Sequence, residues 1–284
     1  MKFSVVVPTY NRISSLKQTL ASLNALDFPD FEIIIVNDGS NDGTDAFLKE
    51  MSEKFPIRTC NGKHEGPAAA RNLGIAEARG EWIAFTDDDC MVPPDWLKLF
   101  ERSVNETGAD FIGGSAENAL PRNILSTVSQ EMTSHYVRSL QQLGRKEFLT
   151  SNNTLYRASV LRSAGGFDRK FLHAGGEERD LNRRILAIGG TAAFRSDIAV
   201  RHAHRMNLVG WLRQQFNYGR GARMLRRLAL LRGEASPSIP IPVHLSLCGA
   251  LLRTGVFTGL VKVALFILAQ TVTGLGYLME AGVR

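Results

Sequence analysis

Cysteine is scarce in this chain. Cys60, Cys90 and Cys248 are the three in 284 residues, and they show neither CxxC spacing nor even pairing. A disulfide framework is therefore excluded, and free thiols in a reducing compartment are expected. A secretory leader is not expected either: one lysine, Lys2, precedes a hydrophobic run directly, with no small-residue cleavage site. Internal repeats and low-complexity tracts are absent. Acids are absent from one long stretch, Arg201 to Arg232, which holds eight arginines and no Asp or Glu. Such a segment suits a diphosphate or an anionic bilayer surface. Aromatics are few and not interleaved with these bases, which weighs against nucleic acid.

What is present is ordinary in bulk: 44% hydrophobic and 22% charged residues, with a formal net charge of +6. That is enough for one large core or two small ones. Runs such as Val5-Val6-Val7 and Ile33-Ile34-Ile35-Val36 alternate with polar stretches of helical spacing. The alternation predicts an α/β fold with a mainly parallel central sheet.

The chain is organised around Glu81 to Met91. Trp82 to Phe85 reads as a buried strand, and it runs into Asp87-Asp88-Asp89. Three adjacent carboxylates repel one another unless a cation is present. On an extended chain Asp87 and Asp89 point to one side, a pair of hard oxygen donors suited to Mg²⁺ or Mn²⁺ carrying phosphate oxygens. The bland reading is a solvated acidic turn.

Other segments point to the same end of the sheet. Lys2 to Pro8 is a strand followed by Thr9-Tyr10-Asn11-Arg12, and Ser14 or Ser15 is placed to cap the next helix. Phe31 to Val36 ends in Asn37-Asp38-Gly39-Ser40, a loop where a carboxylate can meet a base or ribose, or simply cap the helix starting near Asp45. His64 to Asn72 combines small residues, Pro67 and Arg71. It is either a phosphate-favouring helix start or a packed Ala-rich helix with Arg71 on its surface. Phe111 to Ser115 reads as a strand with close backbone approach at its glycines. Residues 121–147 are polar with partial helical spacing and carry no motif that names a role. Gly175-Gly176 precedes Glu177, Glu178 and Asp180 at a helix start. The helix dipole accounts for acids there; the glycines point to an acid presented into a cleft, as a general base requires. Ile198 to His204 is a strand ending in two imidazoles, His202 and His204, spaced as metal or phosphate contacts.

Past Pro237, Pro240 and Pro242 the chain turns apolar. Val263 to Met279 is uncharged and just short of a comfortable span. It can cross a membrane, lie in the interface, or pack as a buried helical pair. Three segments are expected: residues 1–205, a basic helical stretch 206–234, and a hydrophobic membrane-associating tail 235–284.

Taken in order, Ser4 to Arg12, Val36 to Ser40, Ala70-Arg71-Asn72, Phe85 to Asp89, Gly165 to Asp168 and Gly176-Glu177-Glu178 resemble glycosyltransferase family two, inverting enzymes of the A-type glycosyltransferase fold. Gln215 to Gly221 resembles a membrane-associated bacterial branch. The resemblance implies that Pro8, Thr9, Tyr10 and Arg12 line a nucleotide pocket. It places Asp38 on the base, Arg71 near the nucleotide, and Asp87 and Asp88 on the nucleotide side. Asp89 and His202 would hold a divalent metal, Mg²⁺ or Mn²⁺, and Glu178 takes the place of the catalytic base, with Glu177 and Asp180 as the neighbouring alternatives. Asn37 stands where Asp is frequent, and Glu178 where Asp is common.

The implied activity is transfer of a sugar from a nucleotide-diphosphate sugar to a hydroxyl of a cell-envelope or lipid-linked glycan. The implied location is the cytoplasmic face of the bacterial inner membrane. A nucleotidyltransferase would want a Gly-rich loop after the first strand, where Pro8-Thr9-Tyr10-Asn11 stands instead. A non-catalytic, membrane-tethered sugar-nucleotide binder is the remaining alternative.

Overall fold

Alternate residues of the first two valine and isoleucine runs enter different cores. Phe3, Val5, Val7, Ile33 and Ile35 belong to one apolar cluster, and Val6, Ile34 and Val36 to another. Period-two alternation with both faces apolar is what a strand covered on two sides needs. The computed structural model describes residues 1–280; the last four residues of the tail, 281–284, lie outside the described residues.

The elements, in order, are β1 (Phe3–Thr9), α1 (Ile13–Asn24), β2 (Phe31–Asn37), α2 (Thr44–Lys54), β3 (Ile57–Asn61), α3 (Pro67–Glu77), β4 (Trp82–Thr86), β5 (Cys90–Met91), α4 (Trp96–Thr107), β6 (Phe111–Asn118), α5 (Ile124–Gln142), β7 (Asn153–Arg157), α6 (Ala158–Ser163), α7 (Glu177–Ala187), β8 (Ala192–His202), α8 (Leu208–Leu231), α9 (Ile241–Leu252) and α10 (Val256–Met279). The strands form one sheet in the order β3-β2-β1-β4-β7-β6-β8-β5. β1 to β4 pair in parallel, as do β6 and β8; β7 runs against both its neighbours, and β5 against β8. The mainly parallel α/β architecture expected from the sequence is the one found.

Leu16, Leu20 and Leu23 of α1 and Trp96 and Phe100 of α4 pack on one face of the sheet. Ala68, Ala70 and Ile75 of α3, Leu161 of α6 and Leu181 and Ile185 of α7 cover the other. The glycines of β6 mark close approach: a Cβ on Gly114 would strike the Asn153 side chain and the Ile198 carbonyl oxygen. Asn153 is fully buried there and donates to the carbonyls of Ser115 (2.7 Å) and Ile198 (2.8 Å) while accepting from the Trp96 indole (2.9 Å).

One local expectation is corrected, and one open segment takes shape. Neither Ser14 nor Ser15 caps α1; the amide of Ile13 donates instead to Asp42 from the β2–α2 loop, at 3.0 Å. Residues 121–147 are largely one helix, α5, capped by Asn123, whose side chain accepts from the Ser126 amide. Val128, Met132, Tyr136 and Leu140 of α5 join α8, α9 and α10 in a third core. The apolar tail is thus packed on the rest of the chain along one face. Its other face is open, with Val256, Phe257, Leu260, Ile267, Leu275, Leu278 and Met279 exposed. α10 is long and apolar enough to cross a membrane by length and composition.

Candidate active site

The carboxyl ends of β1, β2 and β4 lie side by side, and the loops leaving them carry the polar residues. In open α/β sheets this end holds the ligand crevice. The acidic stretch is not extended here. After Thr86 the chain turns, with the Cys90 amide donating to the Asp87 carbonyl at 3.1 Å. The extended geometry behind the expectation that Asp87 and Asp89 share one side is therefore absent; Asp87 turns to Arg71, while Asp88 and Asp89 share Arg12.

Asp87 accepts from Arg71 at 2.9 Å. Asp88 turns inward, accepting from Thr9 Oγ1 at 2.8 Å and from Arg12 Nη1 at 3.2 Å. Asp89 accepts from Arg12 at 2.9 Å and faces His202 Nε2 at 3.2 Å. Burial pushes Asp88 above the carboxylate range against the pull of Arg12. Asp89 is held low, because His202 and Arg12 outweigh its burial.

Gln130 orients the His202 ring. Its Nδ1 lies 3.1 Å from Gln130 Oε1, and Gln130 Nε2 donates to the Ala116 carbonyl at 2.9 Å. The amide orientation so set makes Nδ1 the donor, and a neutral ring would turn a bare Nε2 lone pair toward the Asp89 carboxylate. That pairing calls for a cation between the two, a proton or a metal. One carboxylate oxygen and one imidazole nitrogen make a mixed donor set that suits Mn²⁺ better than Mg²⁺. The Cys90 sulfur is close, but burial pushes its thiol well up and it belongs to the apolar core, so it is a poor ligand.

Arg71 is buried, not on the surface of α3. It joins Asp87 to Glu177 (3.1 Å) and lies over the Phe167 ring. The Asn72 side chain clamps Phe167 at both backbone groups, 2.8 Å each way, and so pins the Gly165-Gly166 turn to α3. Asp38 is buried, and its oxygens accept from the Glu65 and Gly66 amides at 3.2 and 2.9 Å. It therefore braces the lead-in to α3. Beside it, the exposed Tyr10 ring stacks on His64 with centroids 4.1 Å apart. Asn11 and His64 hold φ of 52° and 57°, left-handed values rare outside glycine, on either side of this stack.

The three acids at the start of α7 have different surroundings. Glu177 is engaged twice, by Arg71 and by the Gly175 amide at 2.7 Å. Asp180 is fully buried between Arg184 (2.8 Å) and Arg232 (2.9 Å). Glu178 is half-buried and, among the described residues, makes no ion pair. Burial, then the Glu177 carboxylate, push it up to about 8. Tyr218 of α8 rests against Gly175, in the field of Glu178, Glu177, Asp87 and Asp89. Among the described residues its hydroxyl has no hydrogen-bond partner. Sequence reasoning assigned no site role to Gln130, His64 or Tyr218. Tyr218 stood in a recognised segment; Gln130 carried no signal at all.

Parallel strands that end in a buried acidic turn, facing acids at a helix start, form the architecture of the A-type glycosyltransferases. The Glycosyl transferase family 2 model matches residues 4–165. Glycosyltransferase AglE of Haloferax volcanii is 26% identical over 237 residues, 81% of this chain and 76% of that protein. Putative glycosyltransferase EpsH of Bacillus subtilis is 32% identical over 169 residues, 56% of this chain and 48% of that one. The chain spans far less of some relatives, 16% and 18% of two Rickettsia glycosyltransferases. Mannosyltransferase PcManGT from Pyrobaculum calidifontis, solved with GDP-Man and Mn²⁺, shares the fold at TM-score 0.66 and 17% identity, over 99% of this chain and 86% of that one. S. aureus TarS 1-349 with UDP-GlcNAc does so at 0.63 and 21%, over 89% and 72%. This chain belongs to glycosyl transferase family 2 and is an enzyme of the glycosyltransferase type.

Proposed function

We propose that the protein is an inverting, metal-assisted glycosyltransferase that takes a nucleotide-diphosphate sugar as donor and a lipid-linked or cell-envelope glycan hydroxyl as acceptor. The observation that carries this reading is Glu178: of the acids opening α7, it alone lacks an ion pair, and its carboxyl is raised toward neutrality. A base within reach of an acceptor hydroxyl needs that freedom. Glu178 accepts the hydroxyl proton while the acceptor oxygen attacks the anomeric carbon opposite the departing diphosphate, and configuration inverts. Arg12 sits at the acidic turn, where the diphosphate would lie, with Asp88 acting through it. Tyr10 and His64 offer an exposed ring face to the base. Asp89 and His202 would hold the Mn²⁺ or Mg²⁺, which when bound offsets charge on the diphosphate. The complexes of TarS with UDP-GlcNAc and of PcManGT with GDP-Man and Mn²⁺ support a nucleotide-sugar donor.

The tail supports a membrane-surface location, and we place it on the cytoplasmic face of a bacterial inner membrane. α10 is tied down near both ends, by Lys262 to Glu131 at 2.6 Å and by Glu280 to Arg220 at 2.6 Å. Those anchors are roughly 27 Å apart at the helical rise, close to the thickness of a bilayer core. A crossing helix could not keep both on one protein surface, so α10 lies in the plane of the interface. In this reading residues 1–205 carry the chemistry, 206–234 link it to the tail, and the tail docks.

Nucleoside diphosphate release from a panel of nucleotide sugars, by purified protein in detergent with Mn²⁺ or EDTA, tests the activity. Metal-dependent release from one donor is expected. Donor binding without release, even with lipid-linked acceptors supplied, would favour the non-catalytic binder.

A further inference from the structure

Arg223, Arg226 and Arg227 lie on one side of α8 with Leu230 and Leu231, around a groove of about 330 Å³. Their polar contacts are few. Arg226 donates to the Tyr277 hydroxyl at 3.0 Å, Arg223 reaches the same oxygen at 3.4 Å, and the Arg223 guanidinium lies 5.2 Å from that ring's centre. None of the three has a carboxylate within ion-pair distance among the described residues. The arginines that flank them do: Arg220 pairs with Glu280, and Arg232 with Asp180. Two guanidiniums on one neutral oxygen, with Arg227 beside them in the same groove, leave an uncompensated positive site, and guanidinium geometry matches phosphate oxygens in pairs.

The groove's other wall narrows the ligand. Leu230 and Leu231 are 63% and 75% exposed. A free anion gains nothing from them, whereas a phosphate carrying hydrocarbon chains does. On α10, beside the Tyr277 that Arg223 and Arg226 contact, Leu278 and Met279 are exposed. Among the described residues, none of the three arginines pairs with an acid at the start of α7, whose ion-pair partners are Arg71, Arg184 and Arg232.

We propose that Arg223, Arg226 and Arg227, with Leu230 and Leu231, bind the phosphate of an anionic membrane lipid, its chains running over the leucines onto α10. The proposal rests on the interfacial placement of the tail. The site sets which membrane the enzyme sits on and in what orientation, apart from the donor site.

The test is flotation of the full chain with vesicles of phosphatidylcholine alone and of phosphatidylcholine with phosphatidylglycerol. The wild type should bind both and favour the anionic vesicles. The variant Arg223→Gln/Arg226→Gln/Arg227→Gln should lose that preference by roughly 100-fold, keep binding to phosphatidylcholine, and retain nucleoside diphosphate release in detergent. The control Arg205→Gln/Arg213→Gln/Arg253→Gln removes the same charge outside the groove. Equal losses in the two variants would overturn the site in favour of diffuse attraction. Undiminished anionic preference in the groove variant would overturn it outright. No binding of the wild type to either vesicle would sink the interfacial placement and the proposal with it. Calorimetry on the solubilised protein separates the ligand sources. Soluble short-chain phosphatidylglycerol should bind the wild type and not the groove variant. Inorganic phosphate binding as tightly would instead make this a free-phosphate site.

Discussion

Gln130 Oε1 stands 3.1 Å from Nδ1 of His202, and the opposite ring nitrogen faces Asp89 at 3.2 Å. A residue of α5 thereby determines which nitrogen of a β8 histidine is available to a cation. Partners of this kind orient metal ligands and raise their basicity. Gln130→Ala should weaken Mn²⁺ binding by roughly 10- to 100-fold, with the donor affinity of the metal-free protein little changed. Manganese titration by calorimetry checks it. Unchanged metal affinity would mean that Gln130 only packs.

The acids that open α7 should separate cleanly. Glu178→Gln should lower turnover by about 10²- to 10⁴-fold and leave the melting temperature near that of the wild type. Asp180→Asn should do the reverse. It strips a partner from Arg184 and Arg232, and breaking a buried pair costs about 3–5 kcal/mol. Turnover per folded molecule should then survive. Thermal melts run beside initial rates distinguish the two, and an inactive but fully stable Asp180→Asn would move the base assignment away from Glu178.

The strand sequence was legible because buried parallel strands need β-branched runs, and Val5-Val6-Val7 and Ile33 to Val36 supply them without competing signals. The order of motifs placed the acids at one sheet end, and the family and fold followed from that order. What could not be read depends on tertiary contact. Asp42 replaces Ser14 and Ser15 as the α1 cap because the β2–α2 loop folds back over the helix start. The Asp87–Asp89 alternation failed because a backbone turn interrupts the strand. Arg71 read equally as a phosphate contact at a helix start and as a surface residue of an Ala-rich helix, and only the two acids far apart in sequence that pair with it show it buried. Gln130 sits in a polar helix with no motif, and only the packing of α5 beside β6 and β8 brings it to His202.

Glu178 also gives a pH dependence with a definite sign. Burial and Glu177 raise its carboxyl to about 8. Below that value the base is protonated and inactive, so turnover should climb from pH 6 to 8, later than an ordinary carboxylate would allow. For stability the direction is opposite. A carboxyl whose folded value exceeds its unfolded one binds more protons when folded, so its contribution is fully present below the unfolded value and is lost as pH rises through about 8. Glu178→Gln should flatten both trends. If the acid limb persists unchanged in Glu178→Asp and the wild-type melting temperature does not fall over that range, another group controls the profile.

α10 and the loop that leads into Glu178 both meet α8 through bare backbone. A Cβ on Gly219 would strike the Thr273 carbonyl oxygen of α10, one on Gly276 would strike Phe216, and one on Gly221 would strike the Gly175 carbonyl oxygen. Gly175 and Gly176 hold φ of 136° and 104° and lead directly into Glu177 and Glu178. α8 is thus pressed between α10 and the loop into α7, at points where backbone meets backbone. Gly221→Ala must displace that loop, because backbone rather than a flexible side chain opposes the new methyl group. Overpacking of this kind costs about 1–3 kcal/mol, and a displaced Glu178 should lower kcat more than it changes donor affinity. Gly249→Ala is the matched control. Gly249 is an exposed helical glycine with nothing within 4 Å of its added methyl, so alanine there should stabilise by roughly 0.5–1 kcal/mol and leave turnover intact. Melting temperatures and initial rates of the two variants, measured side by side, decide the matter. Wild-type kcat in Gly221→Ala would show that the loop absorbs the methyl group without moving its base.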